Sequence, residues 1–149
     1  MLNVRIVPRI SSAEEIAELI EIDRVSYQSD PPLVAFEWAK KFPWVYTLIK
    51  RQTESGWRTT GYGVVIPTNN FVLEGLRRGE IGEEDIRAKH IRLPNEAACF
   101  YLASFGTRQD ISTYECSRLV GNVTGSVLRV QVPIIAVAVT KAGERIARE

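Results

Sequence analysis

Cys116 stands close behind Ser112-Thr113, a natural helix start, where the first-turn amides of a helix favour thiolate over thiol and so favour a nucleophile. No histidine lies near it in sequence to act as its base, so a small packing residue is the plainer role. Cys99 falls within an apolar run and reads as core. The two cysteines form neither a CxxC motif nor the dense framework of a secreted scaffold, which points to a reducing, cytoplasmic setting. A single histidine, His90, leaves no multi-histidine metal site within one chain, and its neighbours Arg87, Lys89 and Arg92 predict an exposed position. No metal is expected.

The Arg77-Arg78 pair and the Arg87-Lys89-Arg92 cluster could attract phosphate, but Glu80, Glu83, Glu84 and Asp85 interrupt them. The whole chain carries 19 Lys and Arg against 18 Asp and Glu, a formal charge of +1. No overall field recruits nucleic acid or an anionic membrane, so a small-molecule or protein partner is expected instead. No apolar stretch approaches the ~20 residues needed to cross a bilayer.

The elements that must position these residues fit one domain over 1–149, with 45% hydrophobic residues to fill a core. Val4, Ile6 and Ile10 open a β-prone segment that ends at Ser11-Ser12. Ser12 and Glu15 fit a capping box for an amphipathic helix carrying Ile16, Leu19, Ile20 and Val25 on its apolar side, with Glu14, Glu15, Glu18 and Glu21 elsewhere. Asp30-Pro31-Pro32 stops it, and Leu33, Phe36, Trp38 and Ala39 predict a shorter helix ending near Pro43. Trp44 to Lys50 and Thr59 to Ile66 predict a hairpin around Glu54-Ser55-Gly56. A partly helical excursion follows from Asn69 to Glu96, with a short helix from Phe71 to Leu76.

Ala97 to Phe105 is almost continuously apolar and reads as a central strand. Ser112 to Val130 predicts a helix that turns Tyr114, Leu119, Val123, Val127 and Val130 inward, with Gly121 and Gly125 permitting close packing. Ile134 to Thr140 reads as a second buried strand, and the tail from Lys141 to Glu149 as a short helix.

This order resembles the GNAT superfamily of N-acetyltransferases. The matching text is the Val45-to-Ile66 hairpin, the strand end Phe-Tyr-Leu-Ala-Ser-Phe-Gly-Thr at Phe100 to Thr107, and the later Pro-Ile-Ile-Ala-Val-Ala-Val-Thr strand. The resemblance implies an α/β (α+β) domain with a mixed, mostly antiparallel central sheet flanked by helices. It further implies an N-acyltransferase with acetyl-CoA or another acyl-CoA as cosubstrate. The backbone amides of Ser104, Phe105, Gly106 and Thr107 would then meet the pantetheine arm and thioester.

By the same resemblance the coenzyme diphosphate belongs at the following turn and helix start, where Arg108, Ser112 and Thr113 are the candidates. That turn reads Arg108-Gln109-Asp110-Ile111-Ser112-Thr113, without the family's glycines and with an acidic residue. Glu37 and Glu115 are the candidate bases for the attacking amine. Trp38, Trp44 and Trp57 are candidate acceptor-pocket residues, although Trp38 and Trp44 also suit core packing. The last tyrosine is Tyr114, so none carries over to the family's late leaving-group position. The short end would leave sheet edges open to a homodimer. These departures motivate the alternative of a noncatalytic binding or regulatory domain on the same fold.

Overall fold

The computed structural model describes residues 3–136. Its five-stranded sheet runs in the order β1-β2-β3-β4-β5, from β1 (Val4–Val7) through β2 (Tyr46–Thr53), β3 (Gly56–Thr68) and β4 (Cys99–Thr107) to β5 (Ile134–Ala136). The first three junctions are antiparallel and β4 pairs with β5 in parallel, the mixed sheet that the resemblance implies. Helices α1 (Ala13–Ser26), α2 (Leu33–Lys41) and α3 (Asn70–Arg77) precede β4, and α4 (Thr113–Leu128) follows it.

Two apolar clusters divide the core across the sheet. On one face α1 and α2 bury Leu19, Ile22, Val34 and Trp38 against Leu48, Tyr62, Val64 and Ile66. On the other, Leu119 and Val123 of α4 pack on Ile49 with Val65, Leu102 and Phe105 around them. Each fully buried aliphatic side chain contributes about 1.5–3 kcal/mol, so packing on both faces stabilises the sheet.

Local signals set the element ends. Gly56, at φ +116, closes the β2–β3 turn in a conformation closed to other residues. Ser12 and Ser112 cap α1 and α4 by accepting the amides of Glu15 and Glu115, and Asn69 caps α3 through Val72 N–H. Glu15 does not complete its box on Ser12: its carboxylate accepts Ser11 N–H and pairs with Lys50.

Several expectations need correction. Tyr114 points outward at 57% exposure, and no atom lies within 4 Å of a Cβ built at Gly121 or Gly125, so neither glycine serves close packing. Val25 is exposed rather than on the buried side of α1. Ile134 is 43% exposed, so β5 begins outside the core. His90 is buried rather than exposed: its ring stacks on Phe71 with centroids 5.2 Å apart, and Nδ1 accepts Arg87 N–H. The rest of the last strand, 137–140, and the tail helix lie outside the described residues. Among the described residues, no helix is long and apolar enough to cross a membrane.

Candidate functional site

A cavity of about 680 Å³ opens between α1, the α1–α2 connection, α2 and the face of β4. Its floor is built from residues far apart in sequence. Asp23 comes from the last turns of α1, Tyr62 from β3, Ser104 from β4, and Tyr27 from the C-cap of α1.

These four form one hydrogen-bonded group. The Tyr62 hydroxyl donates to the Asp23 carboxyl and lies 3.1 Å from Ser104 Oγ. Tyr27 Oη stands 3.1 Å from the same Oγ and also donates to the Phe105 carbonyl. Burial raises the Asp23 pKa to about 6, with the Tyr62 bond opposing the rise. Glu83 lines the same cavity, and burial first, then the charges of Glu84 and Asp23, raise it to about 7. Burial also holds Tyr27 and Tyr62 firmly in the protonated form. Two carboxyls that change charge near neutrality, beside hydroxyls that do not, form a proton-accepting floor.

The strand beneath is irregular at this point. Leu102 faces Val65 and Ser104 faces Val64, so Ala103 is an extra residue in β4, bordering the cavity. Such bulges aim neighbouring groups away from the regular ladder. Beyond it, Arg108 N–H donates to Thr60 O. Antiparallel alternation from that bond turns the backbone groups of Ser104 and Gly106 toward β3 and those of Phe105 and Thr107 toward the opposite edge. On that edge Tyr27 and Ser26 hold the carbonyls of Phe105 and Thr107.

The sequence-predicted residues therefore separate. Ser104 reaches the cavity, while Phe105 points to the other face, where a Cβ at Gly63 would come 2.8 Å from its ring. Gly106 is occupied differently again, since the Tyr62 ring lies against it. Glu37 sits outside the cavity lining. It accepts Ala88 N–H at 2.8 Å and pairs with Arg87 at 2.7 Å, and these contacts, the amide first, hold its carboxyl below the usual range.

Glu115 is buried on the opposite face of the sheet. It accepts Ser112 N–H and Thr60 Oγ1–H and pairs with Arg51, which ties the start of α4 to β2 and β3. Ser112 is the helix cap in that arrangement and Thr113 the first helical residue. Arg108 is buried as well, donating to the Thr59 carbonyl at 2.7 Å and pairing with Glu21 and Glu18 of α1. The guanidinium is thus committed within the fold, and two carboxylates, Glu115 and Asp110, stand at the helix start where a diphosphate would need positive ends. Arg51 and Arg58 pair with these carboxylates, so the charged groups at this turn are engaged with one another rather than free for a diphosphate.

Of the tryptophans, Trp38 lines the cavity with its N–H donated to the Ile86 carbonyl, and Trp44 packs against the core. Trp57 lies elsewhere, under Arg5. Cys99 is fully buried beside Thr68. Among the described residues no group of His, Cys, Asp and Glu side chains could hold a metal.

Sequence reasoning missed Asp23, Glu83, Tyr27 and Tyr62. One signal was present for Asp23: Ile16, Leu19, Ile20 and Asp23 follow the i, i+3, i+4, i+7 spacing, which places a carboxylate on the apolar stripe of α1.

Solved structures share this architecture. The N-acetylglutamate synthase of Neisseria gonorrhoeae, complexed with coenzyme A and N-acetyl-glutamate, matches with a TM-score of 0.55 at 14% identity over 98% of this chain and 27% of its own. The C-terminal condensation domain of Ebony, in complex with β-alanyl-dopamine, matches with a TM-score of 0.54 at 16% identity over 99% of this chain and 81% of its own. What the chain shares with them is the fold, a GNAT-like α+β sheet. This chain spans only 27% of the Neisseria synthase. No protein-family model matches the sequence, and no curated protein does.

Proposed function

We propose that the chain is an N-acyltransferase that moves an acyl group from a thioester, with acetyl-CoA or another acyl-CoA as cosubstrate, to an amine held in the cavity. The observation that carries this reading is the Asp23 carboxyl, pushed up to about 6 and bonded to Tyr62, at a cavity floor completed by Ser104 and bordered by the Ala103 bulge. The fold supports a thioester donor along β4. The two solved structures named above were obtained with N-acylated amines, which accords with the reaction class.

In this reading the amine nitrogen attacks the thioester carbonyl carbon. A C–N bond forms, the C–S bond breaks, the amine proton passes to the Asp23 carboxylate, and the departing thiolate takes a proton from water. The amides of Phe105 and Thr107, which face the edge away from β3, serve the pantetheine arm. The diphosphate plays no part in this account, because Glu115 and Asp110 already occupy the start of α4.

That same filled helix start favours a second reading, a noncatalytic binding domain on the GNAT fold. Thiol release from acetyl-CoA in the presence of a panel of primary amines separates the two. The acyltransferase reading expects amine-dependent release that falls sharply in Asp23→Asn. No release with any amine, from protein that binds those amines, assigns the chain to the second reading.

A further inference from the structure

The walls of the cavity specify what it takes. Tyr46, Tyr62, Tyr101, Phe36, Trp38 and Tyr27 contribute aromatic surface, and the polar atoms of several of them are already used inside the fold. The Tyr46 hydroxyl donates to the Ala35 carbonyl at 3.0 Å, and Trp38 N–H donates to the Ile86 carbonyl. What Tyr46 and Trp38 offer a ligand is therefore ring and edge rather than hydrogen bonds. A volume of about 680 Å³ lies within the range that encloses a small organic molecule.

The charged groups are of one sign. Asp23 and Glu83 stand inside and Asp30 at the mouth, and among the described residues no Lys, Arg or His lines the cavity. Arg24, which approaches Asp30 at the mouth, is exposed and paired with it at 2.6 Å. An ammonium group entering here meets carboxyls and aromatic faces, both of which attract cations. A carboxylate entering here meets like charge with no basic partner and would be desolvated without compensation.

Resting on the acyltransferase reading of this site, we propose that the acceptor is a primary amine with an apolar, aromatic-sized body and no carboxylate, an arylalkyl monoamine rather than an amino acid. The ammonium end sits at Asp23 and Glu83, where it gives up one proton to solvent before the neutral nitrogen attacks, and the body lies among the rings of Tyr46, Tyr101 and Trp38. Carboxylate-bearing acceptors are excluded by the sign of the walls rather than by their size.

Titration calorimetry of the full chain at neutral pH, without any acyl donor, tests this apart from transfer. Phenethylamine and tryptamine are compared with phenylalanine and tryptophan, which add only a carboxylate, and with phenethyl alcohol, which lacks the charge. The amines are expected to bind at least tenfold more tightly than either comparison. Glu83→Gln, a change on a short surface turn, and Asp23→Asn should each weaken amine binding severalfold, with thermal melting used to verify folding. Amino acids binding as well as the amines, no binding by the amines, or amine binding unchanged in both variants overturns the proposal. Tight amine binding without thiol release from acetyl-CoA would instead leave the acceptor class standing and remove the transfer reading.

Discussion

The ring of Tyr62 lies against Gly106: a Cβ built on Gly106 would overlap Tyr62 Cε1 and come 3.0 Å from Ile22 Cγ2. Gly106 therefore matters through the atom it lacks. It leaves room for the Tyr62 ring to lie over β4, from where the hydroxyl reaches both Asp23 and Ser104.

Gly106→Ala should cost about 1–3 kcal/mol of stability through overpacking, since the obstructing atom belongs to a buried ring and not to a mobile end. It should also lower thiol release by displacing the Tyr62 hydroxyl from Asp23. Tyr62→Leu removes Cε1, so the double variant should be less destabilised than the sum of the single changes. Urea unfolding of the four proteins gives the coupling, and strict additivity would show that the ring and the glycine do not constrain each other.

The raised pKa values of Asp23 and Glu83 set opposite pH trends for stability and activity. Both acids are easier to protonate in the folded chain than in the unfolded one, so the folded state binds more protons between the two sets of values. Their favourable contribution is complete below the ordinary carboxyl range and is lost as pH rises through about 6 for Asp23 and about 7 for Glu83. Activity needs the ionised base and should rise over the same interval. Asp23→Asn should flatten the lower part of the stability profile and reduce kcat/KM by ~10²–10⁴, the usual range for loss of a general base. Denaturant midpoints and initial rates measured from pH 5 to 8 check both, and a wild-type stability that increases across that interval would contradict the assignment.

The fold was legible because its signals are local. Ser12 and Ser112 announce helix starts, Glu54-Ser55-Gly56 announces a turn, and the apolar run around Phe100 announces an inner strand. The site was much less so. Asp23, Tyr62, Ser104 and Glu83 meet only after α1 docks on the sheet, and that docking joins the apolar contacts of Leu19 and Ile22 to acids that look like a solvated helix face. Glu18 accepts Thr59 N–H and Oγ1–H, Glu21 pairs with Arg108, and Glu15 pairs with Lys50. Polar residues that satisfy one another across tertiary contacts carry no periodic signature. His90 illustrates the same gap: basic neighbours suggest solvent, yet a short turn tucks the ring under Phe71.

Glu115 offers a direct contrast between a structural carboxylate and a base. It is fully buried, accepts Ser112 N–H and Thr60 Oγ1–H, and pairs with Arg51 at 3.3 Å on the face of the sheet away from the cavity. Glu115→Ala removes a helix-capping contact and leaves a partly buried guanidinium short of a partner, so a loss on the order of 3 kcal/mol is expected. The folded fraction should retain its kcat and its pH profile. A loss of kcat at full folding, measured below the midpoint of thermal unfolding, would return Glu115 to the catalytic candidates.

In the proposed reaction, donor recognition rests on the thioester rather than on the nucleotide. A diphosphate clamp made of charge-assisted hydrogen bonds supplies about 1.5–3 kcal/mol per contact, so two lost contacts would reduce kcat/KM by ~10²–10⁴. Here Arg108 is held by Thr59, Glu18 and Glu21, and Glu115 and Asp110 stand at the start of α4. The acetyl thioester of N-acetylcysteamine keeps the reacting bond and the first amide of the pantetheine arm but has no nucleotide. Its kcat/KM should lie within about tenfold of that of acetyl-CoA, well short of the loss expected from two diphosphate contacts. Arg108→Ala should lower stability by detaching α1 from β3 while leaving the ratio between the two donors unchanged. A preference for acetyl-CoA of more than a hundredfold that collapses in Arg108→Ala would place the diphosphate at this turn after all, because only a guanidinium released from its α1 carboxylates could produce both results.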